Sequence, residues 1–402
     1  MVSTYPPQRC GIGYYTKDIV ETLLAKDQEL EFFVLAESRS WIPYRKRDYN
    51  KIHEWRIWDR NNPSYPLKIF NAIQRIRPNI VWVQHEYGLF GSYGGFLLLF
   101  LFGLLRLFRF EIIMTLHTVC PRRRFVESLQ KTLRYSTGRL ILRYIDIILT
   151  NLSAKIFVEK VIVHSTGLAS QMGEDYSFPK DKIEVIPHGV YISHNISPER
   201  AKENLNLNGK HVILSFGFLS YRKGYEYVIE AVSQLSDRRE NLVYLVAGTY
   251  HTSSGVEYLE ELKSLVRQLG LEKNVKFYTK TISEEEVPII LGAADIVVLP
   301  YLSLYGDSGV LRQAATFGKP VIVTSVGAMT EEIKNGVSGL IVPPANVENL
   351  KEAIEYLLRN PEEAKRMGLS LRNKAITEWS WQRISDHVYS MLQKLFDHGQ
   401  LD

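Results

Sequence analysis

Short apolar runs rich in β-branched residues alternate with longer stretches of helical periodicity along most of the chain, the pattern of a parallel α/β architecture. In the first half the runs predict strands at Phe32–Leu35, Ile80–Gln84, Ile112–Leu116, Ile145–Leu149, Lys160–Val163 and Ile183–Ile186. Runs such as IVWVQ and EIIMTLH are apolar without alternation, which suits a sheet covered by helices on both faces. Helices are predicted at Tyr15–Ala25, Pro66–Ile76, Phe96–Phe108 and Ser165–Met172. A polar stretch after Pro187-His188-Gly189-Val190 reads as a linker holding a short helix. The rhythm then restarts with HVILSFG, LVYLVAG, NVKFY, DIVVLP, PVIVTS and GLIVPP. The pattern predicts two doubly wound domains of similar size, over 1–190 and 191–377. An amphipathic closing helix follows within 378–402, with Trp381, Ile384, Val388, Met391, Leu392 and Leu395 on one stripe.

Composition narrows the partners. A chain of 402 residues exceeds the usual size of a single core, in keeping with two domains. The formal net charge of +5 suits a polyanionic ligand such as a diphosphate, or an anionic membrane surface. With no zinc-finger spacing and no ribonucleoprotein motif, nucleic acid is not an expected partner. Two cysteines, Cys10 and Cys120, do not make a disulfide framework, and a reducing cytoplasm is the default compartment. The opening MVSTYPPQRC lacks the features of a signal peptide and reads as a strand already under way from Val2 to Thr4.

One run bears on membranes. Phe96 to Phe108, FLLLFLFGLLRLF, falls short of the roughly 20 residues a spanning helix needs, and Arg106 breaks it. A buried helix and a helix lying on a membrane surface both fit. The second draws on the basic residues that follow, Arg122, Arg123, Arg124, Lys131, Arg134, Arg139 and Arg143, and leaves peripheral contact at the inner membrane face open.

Candidate chemistry falls at strand ends, where doubly wound sheets place their ligands. In LSFGFLSYRKG a strand ends at Gly217, a short loop carries Arg222 and Lys223, and Gly224 opens a helix. A diphosphate needs such an arrangement: small residues for close approach, helix-end amides and fixed cations. In LPYLSLYGDSGVLRQAATFGKP, the amides of Ser308, Gly309 and Val310 at a helix start suit a distal phosphate and sugar hydroxyls. Asp307 is placed either to N-cap that helix or to meet a ligand. On the N-terminal side, Gly11-Ile12-Gly13 lies between the first strand and the first helix, where backbone amides can approach a phosphate or an acceptor. His117 ends one strand, and His85 with Glu86 ends another as a polar pair able to orient an acceptor hydroxyl or to cap the strand.

Read in order, G-F-L-x-x-R-K-G, A-A-D-I-V-V-L-P, G-x-S-G-V-L and G-K-P-V-I-V-T resemble the donor-binding domain of retaining glycosyltransferases with the GT-B fold, family 4 above all. Thr4-Tyr5-Pro6-Pro7, Gly11-Ile12-Gly13, Gln84-His85-Glu86-Tyr87-Gly88, Leu116-His117-Thr118 and Ile186-Pro187-His188-Gly189-Val190 are similar to a bacterial and archaeal subgroup of it. The resemblance implies two Rossmann-like domains facing a cleft, with the C-terminal helix crossing back. It implies that Lys223 and Arg222 neutralise the donor diphosphate, that His117 lies beside the donor sugar, and that no covalent nucleophile is used. The absence of D-x-D agrees with metal-independent transfer and no tightly bound cofactor. The implied donor is GDP- or UDP-linked mannose or glucose, and the acceptor a saccharide, a small metabolite or a lipid-linked glycan.

The chain departs from the family twice. Phe218 stands where an arginine usually follows the glycine matching Gly217. Tyr305 and Gln313 stand where the family carries paired glutamates, although the Gln313 amide can still bond ribose hydroxyls. These departures keep two alternatives open, a non-catalytic nucleotide-sugar-binding or partner subunit and a nucleotide-sugar epimerase.

Overall fold

The computed structural model describes residues 1–399 apart from residues 9, 123–136, 193–195, 236–239, 251 and 305. Tyr305, Arg123, Arg124, Lys131, Arg134 and the Arg139 side chain therefore lie outside the described residues. The chain divides into two compact units, Met1–Gly189 with Trp381–Asp402, and Val190–Ser380.

The first unit runs β1 (Val2–Ser3), α1 (Gly11–Lys26), β2 (Phe32–Glu37), β3 (Arg45–Tyr49), β4 (Ile52–Trp58), α2 (Tyr65–Ile76), β5 (Ile80–His85), α3 (Gly94–Leu107), β6 (Glu111–Leu116), α4 (Thr137–Phe157), β7 (Lys160–Val163), α5 (Thr166–Tyr176) and β8 (Ile183–Val185). Its sheet has the order β3-β4-β2-β1-β5-β6-β7-β8, parallel except for the β3–β4 pair. The second unit runs α6 (Pro198–Asn204), β9 (His211–Phe216), α7 (Tyr225–Ser233), β10 (Leu242–Ala247), α8 (Ser253–Gln268), β11 (Val275–Tyr278), α9 (Glu286–Ala293), β12 (Ile296–Leu299), α10 (Gly309–Thr316), β13 (Val321–Thr324), α11 (Met329–Glu332), β14 (Leu340–Val342), α12 (Val347–Arg359) and α13 (Pro361–Lys374). Its sheet is parallel, in the order β11-β10-β9-β12-β13-β14. The last helix, α14 (Trp381–Gly399), belongs to the first unit, where Trp381, Ile384, Val388, Met391 and Leu392 pack with Tyr15, Ile19 and Leu23 of α1.

All six strands expected in the second unit form, because their apolar runs are short and bounded by turn residues. Every residue of β10 is buried, as covering on both faces requires. Helix starts are fixed by caps: the side chains of Ser165, Thr252, Ser308 and Asn346 each accept a backbone N–H three residues on.

The first unit corrects three expectations. Ile145–Leu149, read as a strand, lies inside α4, where Ile147, Thr150, Asn151 and Ala154 are buried at helical spacing. A run of isoleucines mimics a strand locally, and packing overrides that propensity. The β3–β4 hairpin has no counterpart among the expected strands. The buried face of β4 is Ile52, Glu54, Arg56 and Trp58, so the charged residues point inward and the apolar alternation is lost. Helix α1 starts at Gly11, which makes Gly11-Ile12-Gly13 its first turn rather than a loop. Helix α3, for which a buried and a surface-lying reading both stood open, has two faces: Leu98, Leu101, Phe102 and Leu105 are buried, while Phe96, Phe100, Leu107 and the adjacent Phe108 are exposed.

In both sheets the strand order reverses at one point, between β1 and β5 in the first unit and between β9 and β12 in the second. Loops leaving the carboxyl ends of such strands diverge and leave a crevice for ligands.

Candidate active site

In the second unit the chain leaves β9 at Gly217, whose φ of 122° favours glycine. A Cβ at Gly217 would lie 3.3 Å from Val310 Cγ2 and 4.0 Å from both Lys223 Nζ and Tyr225 Oη. An ammonium, a phenol and the first turn of α10 thus converge on the backbone just beyond β9. Lys223 Nζ also lies 3.6 Å from the ring centroid of Tyr301, which follows β12. The two loops at the reversal point are stitched together. Leu302 N donates to Arg222 O at 2.8 Å, and Gly224 packs so tightly that a Cβ would meet Pro300 O at 2.3 Å. Burial, with Tyr301 and Tyr244 adding to it, holds the Tyr225 phenol far above its usual range, so it stays a neutral donor and acceptor.

Ser308 is the N-cap of α10, its hydroxyl accepting from Leu311 N at 3.3 Å. The first-turn amides of Gly309 and Val310 have no acceptor within the helix. Asp307 is therefore not the cap. Its Oδ1 accepts from Ser308 N at 2.7 Å, and its Oδ2 accepts from Arg312 Nε at 2.9 Å. Arg312 is buried, also donates to Glu332, and lays its guanidinium 4.1 Å from the Trp379 ring centroid. Burial opposes its charge, but Asp307 and Glu332 outweigh that and raise its pKa. Burial and then Asp307 push the Glu332 pKa well above the usual carboxyl range, against the opposing pull of Arg312. Sequence reading gave no hint of this cluster, because its members come from α10, α11 and the turn before Ser380. Gln313, half-buried, is the next residue along α10.

In the first unit a buried chain of hydrogen bonds runs through His117. Its Nε2 lies 2.9 Å from Gln84 Oε1, its Nδ1 lies 3.0 Å from His164 Nε2, and His164 Nδ1 lies 2.9 Å from Ile186 O. A carbonyl only accepts, so His164 carries its proton on Nδ1 and accepts at Nε2 from His117 Nδ1. Burial, then His164, His188 and His85, lowers the His117 pKa well below its usual value and keeps it neutral. Its Nε2 is then an acceptor, which requires the Gln84 amide to turn its NH₂ group toward it. Tyr15 packs edge-on against His117 at 4.7 Å between ring centroids.

His85 and Glu86 part company. His85 is buried and stacked on Phe90, and burial pushes its pKa down to about 3, whereas Glu86 is exposed. Gly13 sits 3.3 Å, measured from an added Cβ, from Tyr5 N, so it lets α1 approach the loop after β1, while the same position at Gly11 faces open space. That loop is held from β4: Arg56 donates to Tyr5 O at 3.0 Å and to Pro6 O at 2.5 Å, and its Nε pairs with Glu54 at 2.6 Å. Burial works against ionisation of the neighbouring Glu37, yet Arg60, Gln8 and Arg39 hold its carboxyl below the usual range.

Comparison with known proteins settles the class. Residues 10–194 match the family described as Glycosyltransferase Family 4, and residues 197–374 match Glycosyl transferases group 1. The chain belongs to the group 1 glycosyltransferases of the GT-B fold. Among solved structures, the chain aligns with sucrose-phosphate synthase from Thermosynechococcus elongatus at a TM-score of 0.79 and 20% identity, over 99% of this chain and 98% of that one. It aligns with Anabaena HepE in complex with UDP-glucose at 0.73 and 16% identity, over 98% of both chains. A GDP-mannose-dependent α-(1-6)-phosphatidylinositol monomannoside mannosyltransferase from Mycolicibacterium smegmatis is 28% identical, over 51% of this chain and 54% of its own length. The chain spans about half the length of the curated relatives it matches.

Proposed function

We propose that this protein transfers a hexose from a nucleotide-diphosphate sugar to an acceptor hydroxyl, with retention of anomeric configuration. The observation that carries this reading is the convergence of Lys223, Tyr225 and the first turn of α10 on Gly217. When the bond between C1 and the diphosphate oxygen breaks, negative charge develops on the leaving oxygen. Lys223, with Arg222 beside it in the same turn, supplies fixed positive charge there. The amides of Gly309 and Val310 and the α10 N-terminus supply donors for the same group. The new bond forms from the acceptor oxygen to C1 on the face the diphosphate leaves, and the acceptor proton passes to the departing phosphate oxygen. Gln313 serves the ribose hydroxyls. Asp307 acts through the loop it fixes, since Arg312 and Ser308 N engage its carboxylate.

In the first unit, His117 and the first-turn backbone of Gly11 and Gly13 serve the donor sugar and phosphate. Exposed Glu86, backed by neutral His85, orients the acceptor. The donors to test first are those named with the relatives, GDP-mannose and UDP-glucose. Titration calorimetry with UDP, GDP and ADP, without added metal, tests the reading. One nucleotide is expected to bind, and Lys223→Ala to weaken it about 10- to 100-fold, the loss of a charge-assisted contact. No binding by any of the three would replace it with a non-catalytic partner subunit, for which Gln313 at a glutamate position already argues.

A further inference from the structure

Helix α4 is built inside out. Its buried side carries Thr150, Asn151 and Ser153 beside Ile147 and Ala154. Asn151 Nδ2 donates to Tyr87 Oη at 2.8 Å, Ser153 Oγ donates to Thr150 O at 2.8 Å, and Asp146 accepts from Gly95 N at 2.6 Å. The opposite side shows Ile141, Ile145, Leu152 and Ile156 to solvent, each 42–55% exposed, with Ile148 and Leu149 half-buried between them. Spacings of three and four place these six residues on one stripe about 22 Å long. A surface helix of a protein bathed in water carries polar residues there.

Helix α3 lies alongside and runs the same way, with Gly95 against Asp146 and Thr150 and Gly103 against Phe157. It too turns an apolar stripe outward: Phe96, Phe100 and Leu107, with Tyr93 just before it, are 47–74% exposed. Two adjacent helices thus share an apolar face far larger than the scattered exposed side chains of ordinary surfaces. The cations nearest this face are Arg109, exposed beyond the end of α3, and Lys155, which borders the α4 stripe and donates from Nζ to Tyr176 O at 3.5 Å. The acids are engaged: Asp146 with Gly95 N, and Glu111 and Glu159 with Arg106.

We propose that the α3–α4 face docks on an anionic lipid bilayer, with the isoleucine, leucine and phenylalanine side chains entering the headgroup region and Arg109 and Lys155 meeting lipid phosphates. A second copy on this face would set a basic rim against its own image, whereas anionic lipid complements it. No described helix is long and apolar enough to cross a membrane, so the contact is interfacial. The proposal is independent of the donor site.

The test is flotation of the full chain with phosphatidylcholine vesicles, with and without about one-third phosphatidylglycerol. The variants Phe96→Gln/Phe100→Gln and Ile145→Gln/Leu152→Gln are run beside it, with circular dichroism to check folding. Expected are binding to the anionic vesicles, weakening in high salt, and a loss of about tenfold in each folded double variant. Three results would overturn it: no binding to anionic vesicles at low salt, binding that salt abolishes but neither double variant weakens, or a dimer in sedimentation equilibrium that the same substitutions dissociate.

Discussion

Arg312 grips a single oxygen of Asp307 with two nitrogens: Nε lies 2.9 Å and Nη2 2.8 Å from Oδ2. The grip fixes the residue before the Ser308 cap and so sets where α10 begins. Arg312→Leu leaves Asp307 buried without its partner and is expected to cost about 3–5 kcal/mol in urea unfolding. Glu332→Gln, which replaces a carboxyl whose charge burial and Asp307 disfavour, is expected to cost less than about 1 kcal/mol. Equal losses in the two variants would contradict the charge assignment.

Two glycines at the ends of these elements differ sharply in packing. A Cβ at Gly248, with φ of 153°, would fall 1.8 Å from Gly217 O, so Gly248→Ala must push apart the ends of β9 and β10. A loss of at least about 3 kcal/mol in stability is expected. Gly11 faces open space in the first turn of α1, and Gly11→Ala is expected to leave stability within about 0.5 kcal/mol. Thermal melts of the pair read the difference.

Acid sensitivity follows from the buried imidazoles. His85 titrates at about 3 in the fold because burial disfavours its charge. In the unfolded chain a histidine titrates near ~6.5, so between these values the unfolded state binds a proton that the native state refuses. Stability therefore falls as pH drops from ~6.5 toward 3, by about 1.4 kcal/mol per pH unit for His85, and is indifferent to His85 above that window. His117 adds a contribution of the same sign. Urea midpoints at pH 7 and pH 5 are expected to separate in the natural protein and to draw together in His85→Leu.

The Tyr301 ring under Lys223 gives the lysine a resting place beside Gly217. Tyr301→Phe keeps the ring and is expected to keep nucleotide affinity within about twofold. Tyr301→Leu removes it and is expected to weaken binding by up to about tenfold, the range of one cation–π contact. Calorimetric titration with the nucleotide that binds distinguishes the two.

Much of this was legible in the chain. The second unit's sheet follows from short apolar runs, four of the six ending in glycine or proline, because a buried parallel strand needs an apolar stretch and its turn needs a residue suited to bending. Gly217, Lys223 and the start of α10 could be singled out because close backbone approach, fixed charge and exposed helix-end amides each require particular residue types at particular steps along the chain, although the cap falls on Ser308 and not on Asp307. The inward charges of β4, the Arg312–Asp307–Glu332 cluster and the outward isoleucines of α4 could not, because each reverses the rule that apolar residues face inward. Whether a charge is buried with a partner, or an isoleucine is left in water, depends on what distant segments bring to that spot. In the same way the sequence put His117 at a strand end, but its proton is placed by His164 and Ile186, residues 47 and 69 positions further along the chain that only folding brings within hydrogen-bond reach.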